Sequence, residues 1–397
     1  GGGQFTIGGS SAETSPFLTV PDLLPRLIRY ITFHPSLSYF FATPYLGSNS
    51  QSSRVDEGIR DNFYELRLTL EQFKNQKEIT PEFLHTSLSP FLTDSSGNTH
   101  RSELNNEKLW NHFLPHKGCL GLVEFRAFRM QITPERSAAI AMLIRAIIAM
   151  LSENDLVPKL HDWGDELHDR FALPYFQNID LKKVLQDLDQ HKKGLDQVVK
   201  LELLDDTDRC KWIISLDDVD FSCEYANEFW PLIGDVYSQE NGDSRLVDAS
   251  THRLQVTLKQ QPGSDLSLNG WQLQTAECEV PMHQVAEDKE KIKIVGLRYR
   301  DYKPFRGLHP SVKPIGPLSL YLYHKDHDAA YKVSIYNWRF DGTAYDGLPK
   351  DLMDARQRRN ERFIIENITK QDIPSAKTPP DIALTAFTLD LRSLRTD

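Results

Sequence analysis

The sharpest chemical signal in the chain is Glu124-Phe125-Arg126, set inside the apolar run from Gly121 to Phe128. In a strand, residues two apart share a face. Leu122, Glu124, Arg126 and Phe128 then point one way, while Val123, Phe125 and Ala127 point into a core. A carboxylate beside a guanidinium on such a face has two readings. One is a structural ion pair. The other is a carboxylate for a divalent metal and an arginine for a carboxylate or phosphate.

Other groups are weaker candidates. Thr99-His100-Arg101-Ser102-Glu103 reads as a short strand entered through the turn Ser95-Ser96-Gly97-Asn98. Arg54-Val55-Asp56-Glu57 follows the polar loop 47–53. Either is equally a loop edge with charges on it. The opening, Gly1-Gly2-Gly3-Gln4-Phe5-Thr6-Ile7-Gly8-Gly9, brackets a short strand with glycines. Such glycines permit close backbone approach to a ligand, although a flexible end has the same composition. His161, Asp165 and His168 fall at i, i+4 and i+7, a spacing that suits either a metal or an exposed polar stripe. Arg356, Arg358, Arg359 and Arg362 read as a solvated helix face. GxxxxGK[ST], GxGxxG, GxSxG and HExxH are all absent from the sequence.

The elements that must position these groups are mixed in the first half. A helix is expected from about Val20 to Phe33, with Pro21 or Pro25 in its first turn. A second runs from Asp56 to Phe73, where Ile59, Phe63, Leu66 and Leu70 recur at helical spacing. Thr133-Pro134-Glu135 is an N-cap, a first-turn proline and an acid for the helix dipole. It opens a helix from Pro134 to about Ser152, apolar nearly all round and therefore central. Another helix is expected over His161 to Arg170. Beyond about Lys200 the pattern turns to strands: 211–216, 253–258, 292–295, 318–323 and 331–336, punctuated by Gly, Asn, Asp and Pro. A helix at about 350–365 and a loose tail from Ser375 close the chain.

The 397 residues allow two or three domains. Lys plus Arg is 46 and Asp plus Glu is 56, a net charge of -10. That argues against a general nucleic-acid binder, which needs a basic footprint. Four widely spaced cysteines without CxxC indicate neither a disulfide framework nor a cysteine-rich zinc site, and suit a reducing cytoplasm. The apolar run 138–151 is too short to cross a bilayer, so no membrane partner is expected.

Taken in order, GGGQFTIGG (1–9), SPFLTVPDLL (15–24), HPSLSYFF (34–41), SSRVDE (52–57), GNTHRSEL (97–104) and GLVEFRAF (121–128) resemble a bacterial family. WGDELHDRFALPYF (163–176), VDASTHRLQV (247–256) and GLRYRDYKPFRGLHP (296–310) continue the match. The family is that of the putative amidoligases in the glutamine-synthetase-like, or carboxylate–amine ligase, superfamily. Its long members often carry a transglutaminase-like domain at the N-terminus. The resemblance implies ATP- and magnesium-dependent ligation of a carboxylate and an amine through an acyl phosphate, on a curved antiparallel sheet. It makes Glu124 the metal-binding carboxylate and Arg126 the arginine that contacts substrate or phosphate. Arg101 and Arg54 are further phosphate or substrate contacts; Arg54, Gly3 and Gln4 are implied to bind the cofactor, the last two on the glycine-flanked strand that supplies a histidine ligand. Relatives carry a histidine where this chain has Phe5, which puts that ligand in doubt. The resemblance also implies that the chain is the C-terminal half of a longer protein, whose upstream half is a partner.

The expected fold is α+β. Residues 1–198 form part of a glutamine-synthetase-like catalytic unit, 199–370 an accessory antiparallel β domain with a closing helix, and 371–397 a tail. The expected partners are a nucleotide and peptide or small-molecule carboxylate and amine substrates. The alternative function is a degenerate fragment or binding module that engages a peptide or glycan through the β domain.

Overall fold

The computed structural model describes residues 2–394, apart from 59, 115, 154–155, 207–208, 217, 234–245, 265 and 286–290. Gly1 and Ile59, both singled out above, lie outside the described residues. The fold is α+β. Contacts divide the chain into two compact units, Gly1–Asp208 with Asn227–Val247, and Arg209–Ala226 with Asp248–Asp397.

The first unit is built on the helix Pro134–Glu153. Thr133 caps it, its hydroxyl accepting the Arg136 N–H at 3.2 Å, and Pro134 and Glu135 occupy the first turn. Ile140, Leu143, Ile147 and Leu151 are buried. They share one core with Leu24, Leu27 and Ile28 of the helix Leu23–Phe33 and with Leu181, Val184 and Leu188 of Pro174–Gln190. The helix Arg60–Gln72 buries Phe63, Leu66 and Leu70, the expected periodic face. Against this core lies a three-stranded antiparallel sheet in the order Phe5–Ile7, Val123–Phe125, Leu104–Asn105. Tyr45–Leu46 pairs in parallel with Glu228–Phe229.

The second unit consists of two sheets that share one core. The first runs His283–Val285, Ile292–Arg300, Thr251–Gln260, Val219–Tyr225, Lys211–Leu216, every neighbouring pair antiparallel. The second runs Glu279–Val280, Trp271–Thr275, Leu318–His324, Ala330–Ile335, Phe363–Asn367. Phe221, Val256, Leu258 and Leu297 of the first meet Leu273, Leu320, Leu322 and Val333 of the second. Each set alternates with polar residues along its strand, so one face of each sheet is buried.

Four expectations are corrected. Thr99–Arg101 is a 3₁₀ turn, because the Asn98 side chain accepts the His100 N–H at 2.9 Å and turns the chain; the strand starts only at Leu104. The helix expected over 161–170 is one turn, Glu166–Asp169, because Gly164 takes a left-handed φ of +54°. The helix expected at 350–365 ends at Asn360, after which Phe363–Asn367 joins the second sheet through its β-branched Ile364 and Ile365. The closing stretch is not a loose tail: Thr388–Asp390 pairs in parallel with Ile292–Arg300, and Leu389 and Leu391 are buried. Among the described residues, no helix is long and apolar enough to cross a membrane.

Candidate functional site

The register of the three-stranded sheet sorts its side chains. Phe5 and Leu104 lie opposite Phe125, while Thr6 and Asn105 lie opposite Glu124. Directly opposed residues share a face. Phe125 is 4% exposed, and it lines a small apolar cavity with Ile140, Leu143 and Ile147 of the central helix. Glu124 therefore stands on the opposite face, away from that helix. The strand places it there because Val123 and Phe125 are the residues the core takes.

On that face Glu124 Oε2 accepts from Arg126 Nη2 at 3.1 Å and lies 3.4 Å from Lys108 Nζ. Glu124 and Arg126 are both buried, and the Lys108 side chain is half exposed. Burial alone would raise the Glu124 pKa. The bond from Arg126, the charge of that guanidinium and then Lys108 outweigh it and hold the carboxyl below its ordinary range. Arg126 Nη1 donates to the Thr99 carbonyl at 3.3 Å and lies 3.4 Å from His100 Nδ1. His100 Nε2 is 3.5 Å from Glu107 Oε1, which also accepts the Thr99 hydroxyl at 2.5 Å. Arg126 Nε is buried and has no hydrogen-bond partner among the described residues. The face opens to solvent along the strand Phe5–Ile7, where Gln4 and Thr6 are exposed.

The other residues singled out in the sequence divide between this face and elsewhere. Gln4 reaches the site indirectly: its Nε2 donates to Gln51 Oε1 at 2.8 Å, and Gln51 Nε2 donates to the His100 carbonyl at 3.1 Å. Gln51 has a φ of 60°, uncommon for a residue with a side chain. Arg101 sits in the neighbouring turn, and its side chain makes no hydrogen bond or ion pair among the described residues. Arg54 is buried elsewhere. Its guanidinium donates to both Asp56 oxygens at 2.8 Å, to Ser38 Oγ at 2.8 Å and to the Ile31 and Thr32 carbonyls. Gly3 is approached by protein rather than left open: a Cβ there would stand 2.0 Å from the Arg129 carbonyl oxygen.

The stripe His161, Asp165, His168 does not form. His161 packs edge-on against Trp163 and Phe33. His168 stacks on Phe229 with ring centroids 3.5 Å apart and lies 3.3 Å from Glu57 Oε1. Sequence reasoning passed over Lys108, His100 and Gln51. Only His100 gave a signal, as the titratable neighbour of Arg101 in the same motif. Lys108 gave no signal along the chain, and Gln51, although it stands just before Arg54, comes to this face through folding rather than through that motif.

Magnesium requires near-octahedral oxygen ligands, commonly more than one carboxylate or phosphate. Glu124 already faces two cations, and among the described residues no three His, Cys, Asp or Glu side chains converge on a metal position. The residues present do not fit a magnesium ion. Two cations around one carboxylate, with a guanidinium N–H to spare, fit an anion better.

Compared with known proteins, the chain matches no curated protein and no solved structure. One family model, described as “Putative amidoligase enzyme (DUF2126)”, matches residues 1–392, and the chain belongs to that family.

Proposed function

We propose that the chain takes part in ATP-dependent carboxylate–amine ligation, with the Glu124 face as the place where an anionic part of the reactants is held. Family membership supports the ligase class. The observation that carries the site is the buried Arg126, whose Nε has no partner among the described residues, beside Lys108 on a solvent-open sheet face. In this reading Arg126 grips two oxygens of the acid's carboxylate or of a phosphate, as only a planar fork can. Glu124 fixes the plane of that fork through Nη2, and Lys108 balances the added charge. The acid oxygen attacks the terminal phosphorus of ATP and ADP departs. The amine then adds to the acyl carbon, phosphate leaves, and the amine's proton passes to water. Holding the reactants and balancing charge is most of what such a transfer asks of a protein. No step is assigned to a protein-bound magnesium ion.

A second reading, a binding module without turnover, is favoured by one fact: the absence, among the described residues, of converging metal ligands. Phosphate release separates the two. The purified chain is incubated with ATP, magnesium, mixed amino acids and small dicarboxylates, beside a Lys108→Met variant. The ligase reading expects release that needs both acid and amine and falls in the variant. Nucleotide binding with no release at any substrate combination supports the second reading. Release that ignores Lys108 refutes the placement of the site.

A further inference from the structure

The second unit contains a cavity of about 320 Å³ lined by residues of both its sheets. Its size lies at the lower end of the range for small-molecule sites. The segment that closes it is tied down. Gln274 Nε2 donates to the Pro374 carbonyl at 2.7 Å, Glu279 N–H donates to the Lys377 carbonyl at 2.9 Å, and Cys278 and Lys377 form a parallel bridge.

Leu273, Val280, Met282 and Leu384 give this cavity an apolar wall. Polar side chains share the lining: Gln272, Glu279, Tyr323 and Thr378, with Trp271 and Lys293. Trp271 is 1% exposed, and its indole N–H has no partner among the described residues. Buried donors are rarely left so. Lys293 lies on the strand Ile292–Arg300 between the buried Ile292 and Ile294, so alternation turns it to the other face. Among the described residues no carboxylate pairs with it. Burial, and then the charge of Lys325, hold its ammonium below the usual lysine range, so an anion at that place would relieve it.

We propose that this cavity binds an organic carboxylate with an apolar body, Lys293 receiving the carboxylate, Trp271 donating its indole N–H and the wall holding the carbon skeleton. This goes beyond the ligase reading and does not depend on it. An N-acylated amino acid and the C-terminal residue of a peptide share the chemistry.

The test uses the full chain and calorimetric titration. N-acetyl-leucine is the probe, and N-acetyl-leucinamide, identical except for the charge, is its control. Saturable binding of the acid is expected, with the amide weaker by about tenfold or more, as loss of a charged hydrogen bond implies. Lys293→Met should lose a similar factor, while Lys293→Arg keeps binding. The half-buried position lets both variants fold, which unchanged melting temperatures verify. Trp271→Phe should also weaken binding, but it alters the core, so the lysine variants decide. A leucine-ending tripeptide with a free C-terminus, tested as a competitor, assigns the source: displacement points to peptide termini, and no displacement points to free acids. Equal affinity for acid and amide would overturn the proposal. So would unaltered binding by folded Lys293→Met, displacement of N-acetyl-leucine by equimolar inorganic phosphate, or no saturable binding of the acid at all.

Discussion

Glu103 offers a quantitative test of how the first unit is assembled. It is 4% exposed, and one carboxyl oxygen accepts the Ser38 hydroxyl while the other has no partner among the described residues. It borders the small cavity lined by Leu27, Ile31, Leu37 and Ile140. Burial pushes its pKa up. The Arg54 charge and the Ser38 hydroxyl oppose this, Asp56 and Glu57 add to it, and the result is about 7 against an ordinary 4.5. Arg54 compensates only partly because Asp56 already takes two of its donors.

An acid whose pKa is higher folded than unfolded contributes stability that is complete below pH 4.5 and is lost as the pH rises through about 7. At about 1.4 kcal/mol per pH unit, the loss across that window is about 3 kcal/mol. Against a total stability of roughly 5–15 kcal/mol this is a large fraction. Glu103→Gln keeps the shape and removes the titration. Urea unfolding of both proteins from pH 4 to pH 8.5 isolates the effect, since every other group cancels in the difference. The variant should gain on the wild type steadily as the pH rises, by about 3 kcal/mol across the range. A flat difference would refute the reasoning, and a gain on acidification would mean that Glu103 is ionised in the folded chain and paired with Arg54.

Arg126→Lys keeps a charge for Glu124 but loses the fork; the apparent affinity for the acid substrate in the phosphate-release assay should fall by about 1.5–3 kcal/mol. Melting temperature should move far less than in Arg126→Met, which leaves a buried carboxylate short of a partner at a cost of about 3 kcal/mol or more. Gly3→Ala, whose Cβ would meet the Arg129 carbonyl, should cost about 1–3 kcal/mol of stability through forced displacement, read from urea midpoints. Leu389→Ala, at a fully buried position, should cost about 2–5 kcal/mol in the same measurement, where a loose tail would cost nothing.

The elements that could be read from the sequence were those with a clean period. Lys211–Leu216 and Leu318–His324 alternate, and the helix Pro134–Glu153 carries its cap and its proline in order. What stayed hidden was set by single residues or by tertiary pairing. Gly164 cut short a helix that composition alone would extend. Thr388–Asp390 is a strand because a partner strand waits for it. At the site, the shared face of Glu124 and Arg126 followed from alternation, as did the packing of Phe125 toward the helix; Phe128 did not follow it, because the strand ends at Phe125 and Phe128 packs into the core beside Phe5. Arg54 and Glu103 looked like charges on loop edges. Both are buried: Arg54 meets Ser38 and the Ile31 and Thr32 carbonyls as well as the nearby Asp56, and Glu103 borders an apolar pocket, and these distant partners cannot be seen along the chain.

Position 5 brings these lines together. The family resemblance expects a histidine at position 5, and against that expectation a phenylalanine looks like the loss of a ligand. The register gives it a different meaning: Phe5 is opposite Phe125, meets Phe128 edge-on with ring centroids 5.6 Å apart, and packs against the core. The side chains of the same strand that share the Glu124 face are at positions 4 and 6. In this register an imidazole at position 5 would face the core and not the carboxylate. The substitution therefore bears first on packing. The chemistry of the face rests on Glu124, Arg126, Lys108 and the Gln4–Gln51–His100 chain. These groups are polar, charged and open to solvent at one edge, and phenylalanine at position 5 leaves all of them in place.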